Sequence, residues 1–116
     1  FAGINTGLNH LIRPMFYDAY HHIDNISHPD QATKNYAVVG NICETDTFAW
    51  DRPIPTISEG DFLVFYNAGA YGYEMSSNYN ARYKPAQVLF EKEEAKLISR
   101  ADTFTDLLNL QIPLNS

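Results

Sequence analysis

YAVVGNICETD, residues 36–46, passes from apolar to polar within eleven residues. Tyr36 to Ile42 are mostly apolar and include adjacent β-branched valines, so they read as a buried strand. The strand runs straight into Cys43, the only cysteine of the chain, and Glu44 follows at once. Two readings of Cys43 stand at this point. A buried cysteine acts as a small apolar side chain, its commonest role. A thiol at a strand end can instead give or take a proton, with Glu44 beside it to bind a cationic group.

The segments on either side point to the same class of fold. Phe1 to Asn5 alternates loosely ahead of Gly7 and reads as a strand and turn. Pro14 is tolerated only in a first helical turn, which places a short helix over residues 14–20. His21 to Ile26 reads as a strand, and the polar run 27–35 as a loop. DRPIPTISEGD, residues 51–61, carries two prolines and a glycine and is expected as loop or edge structure. FLVFY, residues 62–66, is expected as a central strand covered on both faces. AQVLF and KLISR flank EKEEA as a hairpin with a charged tip. Thr103 and Asp106 are placed to cap a short helix over TFTDLLNL. The sum is an all-β, mainly β chain: a Greek-key-like barrel or sandwich with short helices.

At 116 residues the chain is one domain's worth, able to bury roughly 65% of its unfolded surface. Starting at Phe1 rather than Met, it is expected to be a piece of a longer protein. Net charge is −6, which speaks against a nucleic-acid partner. A single cysteine excludes an intrachain disulfide and a cysteine-rich zinc site. It fits a reducing, cytoplasmic setting. No run approaches the length of a membrane span. His10, His21, His22 and His28 match no metal-ligand spacing, so no metal is expected. Asn25-Ile26-Ser27 matches a glycosylation acceptor, a triplet common by chance.

Further residues invite a binding role. Arg13 and Tyr17 are four apart and share a face if the segment is helical. Arg13 can clamp a carboxylate or phosphate, or be an ordinary surface arginine. Tyr71 sits between Gly69 and Gly72, either as a ligand contact or as a plain turn tyrosine.

Four pieces in order, NHLIRPMFYDAYHHI, VVGNICETDTFAWDR, GDFLVFYNAGAYGYEMSSNYNARYKPAQVLF and LISRADTFTDLL, resemble the carboxy-terminal portion of diaminopimelate decarboxylases. These are pyridoxal 5'-phosphate (PLP) dependent decarboxylases of the alanine-racemase-like fold. The most specific elements are RPxxY, Cys-Glu-Thr, and GAYG followed by SxNYNxRxxPAxVL. The resemblance implies that residues 1–116 are a C-terminal β-domain whose N-terminal (β/α)8 barrel, with its Schiff-base lysine, lies outside this chain. It implies decarboxylation of meso-diaminopimelate to L-lysine in a homodimer whose active site forms between subunits. By the same likeness Cys43 is the proton donor. Glu44 takes the distal ammonium and Arg13 the distal carboxylate, Tyr17 supports that pocket, and Tyr71 touches PLP and substrate. The isolated chain is expected to be inactive. The competing expectations are a carboxynorspermidine-type or other basic amino-acid decarboxylase, and a non-catalytic decarboxylase-like binding module. One departure stands out. The family often reads Cys-Glu-Ser-Gly-Asp, so Asp46 falls where glycine is usual and Thr47 where aspartate is.

Overall fold

A computed structural model describes residues 1–42 and 46–115. The chain divides into two compact units, residues 1–76 and 77–116.

The first unit carries β1 (Ala2–Gly3), α1 (Arg13–Tyr17), β2 (Ile23–Asn25), β3 (Thr33–Val39), β4 (Thr47–Pro55) and β5 (Leu63–Phe65). Its main sheet has the order β1-β3-β4, with β1 parallel and β4 antiparallel to β3. Alternation puts Tyr36 and Val38 of β3 inside, and Ile54 of β4 joins them. Two register shifts interrupt the β3–β4 ladder, between Tyr36 and Val38 and between Val38 and Val39. Asp51 takes the positive φ of 48° in the first of these irregularities, where its carboxylate accepts a bond from the Asn35 amide. The shifts break strict alternation, so the neighbours Phe48 and Ala49 are both buried. Pro53 and Pro55, opposite Asn35 and Thr33, lie in β4 at the sheet's edge. The edge placement expected for DRPIP holds; its extent as a regular strand exceeds what two prolines signal.

Ile23, Val38 and Ile54 are almost fully buried at the centre of the core, with Leu11, Tyr36 and Phe48 around them. Phe48 meets Phe65 edge to face, with ring centroids 5.1 Å apart. The Ile57 N–H donates to the Tyr36 hydroxyl at 2.8 Å, which satisfies the polar end of that buried ring.

FLVFY is not a central strand. Only Leu63–Phe65 is strand, paired with β2 alone, and Phe62 is 72% exposed. An unbroken apolar run marks side chains that favour cover. It does not say that the cover lies within the same chain. The short β2–β5 ladder is finished by backbone bonds from Ile26 to Phe62 and from Tyr66 to His22. The mainly β class with short helices holds, but none of the three sheets among the described residues closes into a barrel.

Asn25 is the polar hub of this unit. Its amide nitrogen donates to the Asp61 carboxylate at 2.9 Å and to the Thr56 carbonyl, and its oxygen accepts from the Ser27 and His28 N–H groups. Fully buried and engaged on both ends, it is no glycan acceptor in the folded chain. Asp61 also accepts from Ser58 and pairs with His28 at 3.0 Å. The Ser58 N–H, then the Asn25 amide, hold the Asp61 carboxyl below the usual range, and His28 adds to this. A carboxyl held low stabilises the fold above its ordinary pKa and stops doing so as pH falls through the lowered value. The melting temperature is therefore expected to decline as pH drops below about 4. Asp61→Asn should flatten part of that decline, and an unchanged acid limb in this variant would refute the assignment.

The second unit contains a 3-10 turn (Tyr79–Ala81), β6 (Gln87–Glu91), β7 (Glu94–Ser99) and α2 (Phe104–Leu108). The expected hairpin is present, turning at Lys92-Glu93 with both φ values positive, as a tight two-residue connection requires. The capping pair is present too: the Thr103 N–H and hydroxyl donate to the Asp106 carboxylate. Arg100 grips the same carboxylate with two nitrogens, at 2.6 and 2.9 Å, and holds it well below the usual range.

Candidate functional site

α1 is one turn long, and its sequence explains why. Pro14 presets the first turn and is buried, while Asp18 ends the helix in the left-handed region at φ 54°. The helix thus covers residues 13–17, shorter than the expected 14–20, and packs against β4. Arg13 is half-buried and Tyr17 is exposed. Tyr17 lies edge-on against Phe16, with centroids 4.8 Å apart.

Tyr71 reaches the same place from the turns after β5. Its φ of 67° is unusual for a non-glycine residue. The Met75 N–H donates to its carbonyl at 3.1 Å. The two flanking glycines differ. A Cβ on Gly72 would fall 2.0 Å from the Ala68 carbonyl oxygen, whereas one on Gly69 would meet nothing within 4 Å. Gly72 is thus needed for the chain's own turn rather than for room beside a ligand. So held, the Tyr71 ring lies under the Arg13 guanidinium, 5.8 Å from centroid to carbon. The contact is at the long end of the cation–π range. The structure therefore brings Arg13 and Tyr71 together, which spacing in sequence does not reveal.

Cys43 and Glu44 lie outside the described residues, as does Thr45. Their two anchors are described. β3 ends at Val39, three residues earlier than expected, and its antiparallel neighbour β4 starts at Thr47. The Gly40 N–H donates to the Asp46 carbonyl at 2.7 Å, and the Ile42 N–H donates to Asp46 Oδ2 at 3.0 Å. Asp46, singled out in sequence only as a departure, is a buried side chain closing this connection.

The histidines are separately engaged. His21 is buried with Nδ1 on the Tyr66 carbonyl, while exposed His22 meets the Tyr66 ring edge-on. Among the described residues no three His, Cys, Asp or Glu side chains are grouped to hold a metal, and no helix is long and apolar enough to cross a membrane.

The fit to a PLP site is partial. An exposed phenol and a guanidinium in contact suit one wall of a site for an anionic, aromatic cofactor. Of the chain's four lysines, Lys34 alone belongs to the same unit, and it pairs across the sheet with Ile54.

A family described as pyridoxal-dependent decarboxylase, C-terminal sheet domain, matches residues 1–69. The diaminopimelate decarboxylase of Methanothermobacter thermautotrophicus is 46% identical over 96% of this chain and 26% of its own length. The crystal structure of diaminopimelate decarboxylase from M. jannaschii superposes with a TM-score of 0.89 at 37% identity, over 97% of this chain and 26% of that one. The same protein in complex with L-lysine gives a TM-score of 0.89 at 36% identity, with the same coverage. The chain thus spans about a quarter of the length of the relatives it matches.

Proposed function

We infer the function from one premise: this chain belongs to the pyridoxal-dependent decarboxylase family, through its C-terminal sheet domain. The whole protein decarboxylates meso-diaminopimelate to L-lysine, and residues 1–116 are its β-domain beside an N-terminal barrel. The observation that carries this reading is the likeness, along nearly the whole chain, to proteins named for that reaction. A relative solved with L-lysine, the expected product, supports it.

Bound PLP supplies the sink for the electron pair left when CO2 departs. This chain's residues do the rest. The Cys43 thiol gives its proton to the carbon that has lost CO2, and the resulting thiolate is reprotonated from solvent. A thiol is a far stronger acid than a hydroxyl and is able to give up a proton near neutral pH. At the far end of the substrate, Glu44 pairs with the ammonium and Arg13 with the carboxylate. Tyr17 supports that pocket, and Tyr71 contacts both cofactor and substrate. The site is completed by the barrel and by a second subunit of a cytoplasmic homodimer.

The full-length protein is expected to release CO2 from meso-diaminopimelate and to leave ornithine and arginine nearly untouched. Preference for either of those, or for carboxynorspermidine, would overturn the substrate assignment. Residues 1–116 alone, with PLP added, should show no turnover, since in this reading the Schiff-base lysine belongs to the barrel. Turnover by this piece would overturn the division of labour.

A further inference from the structure

Asp46 is 5% exposed and is held through its side chain and its backbone. Oδ2 accepts the Ile42 N–H, and the residue's own carbonyl accepts the Gly40 N–H. The intervening Asn41 N–H donates to the Thr6 carbonyl at 3.0 Å, tying the connection to the segment after β1. Two glycines make the room. A Cβ on Gly40 would fall 2.1 Å from Oδ2. One on Gly7 would fall 3.1 Å from Oδ2 and 2.6 Å from Ile42 Cδ1. No larger residue fits at Gly40 while the carboxylate stays in place. Oδ1 is buried and has no hydrogen-bond partner among the described residues. Burying a carboxylate this incompletely satisfied is costly. A hydrophobic side chain would fill the space more cheaply, so the acceptor at Oδ2 is what the site retains. The chain between Ile42 and Asp46 is three residues long, and Cys43 and Glu44 are the first two of them.

We propose that Asp46 is a positioning residue, whose buried carboxylate clamps the base of the β3–β4 connection and through it governs the reactivity of Cys43. The proposal rests on the decarboxylase reading for its kinetic consequence but not for its structural one.

The test uses the full-length protein with three substitutions, Asp46→Ala, Asp46→Asn and Gly40→Ala. The first readout is the rate at which iodoacetamide alkylates Cys43, followed by mass spectrometry of its peptide. Asp46→Ala and Gly40→Ala are expected to change that rate about fivefold or more. They are also expected to lower kcat/KM about tenfold or more, since Glu44 shares the connection with Cys43. Asp46→Asn keeps an oxygen for the Ile42 N–H and should stay within about threefold of wild type in both readouts. An Asp46→Ala protein that is alkylated at the wild-type rate would overturn the clamp, as would Asp46→Asn falling as far as Asp46→Ala. If Asp46→Ala does not fold, the contrast between Asp46→Asn and Gly40→Ala decides the same question. Alkylation needs no decarboxylase activity. A protein that never decarboxylates, yet shows the alkylation pattern, refutes the function and leaves the clamp standing.

Discussion

Cys43→Ala in the full-length protein is expected to lower kcat about a hundredfold or more, with little change in substrate binding. A hundredfold corresponds to about 2.7 kcal/mol of barrier. The expectation follows from what the side chain is asked to do. The carbon that has lost CO2 carries an electron pair and needs one proton from a group already in place. Alanine removes the only thiol of this chain and supplies no acid. Water can substitute, but without orientation and with poorer proton-transfer driving force. Cys43→Ser should be nearly as damaging, because a hydroxyl is a far weaker acid than a thiol. The distal carboxylate and ammonium keep Arg13 and Glu44, so KM should hold. The measurement is steady-state turnover of meso-diaminopimelate across a pH range. A variant that raises KM and leaves kcat intact would show that Cys43 binds substrate rather than protonating it.

Gly72→Ala is expected to weaken PLP binding about tenfold or more, although residue 72 itself touches no ligand in this scheme. The added Cβ would sit 2.0 Å from the Ala68 carbonyl oxygen. That atom is backbone and cannot swing aside as a side-chain tip can. The turn must open, and Tyr71 moves with it. Its φ of 67° is held by the same turn and by the Met75 N–H bond to its carbonyl. Once displaced, the phenol leaves Arg13 and, in the proposed site, the cofactor. Gly69→Ala is the internal control, since its Cβ would enter open space. PLP affinity of the full-length protein, read from cofactor absorbance, should fall for the first variant and hold for the second. Equal affinities for both would mean that the Tyr71 turn does not position the ring.

Legibility in the sequence followed the range of the forces involved. The β6–β7 hairpin and the Thr103–Asp106 cap were legible because both are set by residues within a few positions of one another. The core of β3 was legible from its apolar residues, but its end was not. Gly40 and Ile42 leave the strand because Asp46, across the connection, takes their N–H groups. FLVFY misled for the opposite reason: its apolar side chains are genuine, but only Leu63–Phe65 is regular strand, and it meets a single partner strand. At the candidate site the residue types were legible and their meeting was not. RPMFY and GAYG are each weak signals. The contact between Arg13 and Tyr71 depends on a left-handed backbone at residue 71 that spacing does not encode.

The two prolines of β4 reach beyond its own pairing. A sheet edge offers unpaired N–H and C=O groups to any extended chain that arrives. On β4 the bonds to β3 continue past both prolines, while the second half of the outer edge lacks two amide protons, at positions 53 and 55. A newcomer strand docking there would find acceptors without matching donors and could not build a regular ladder. Strand addition along that half of the edge is therefore disfavoured, which guards it against pairing with another chain.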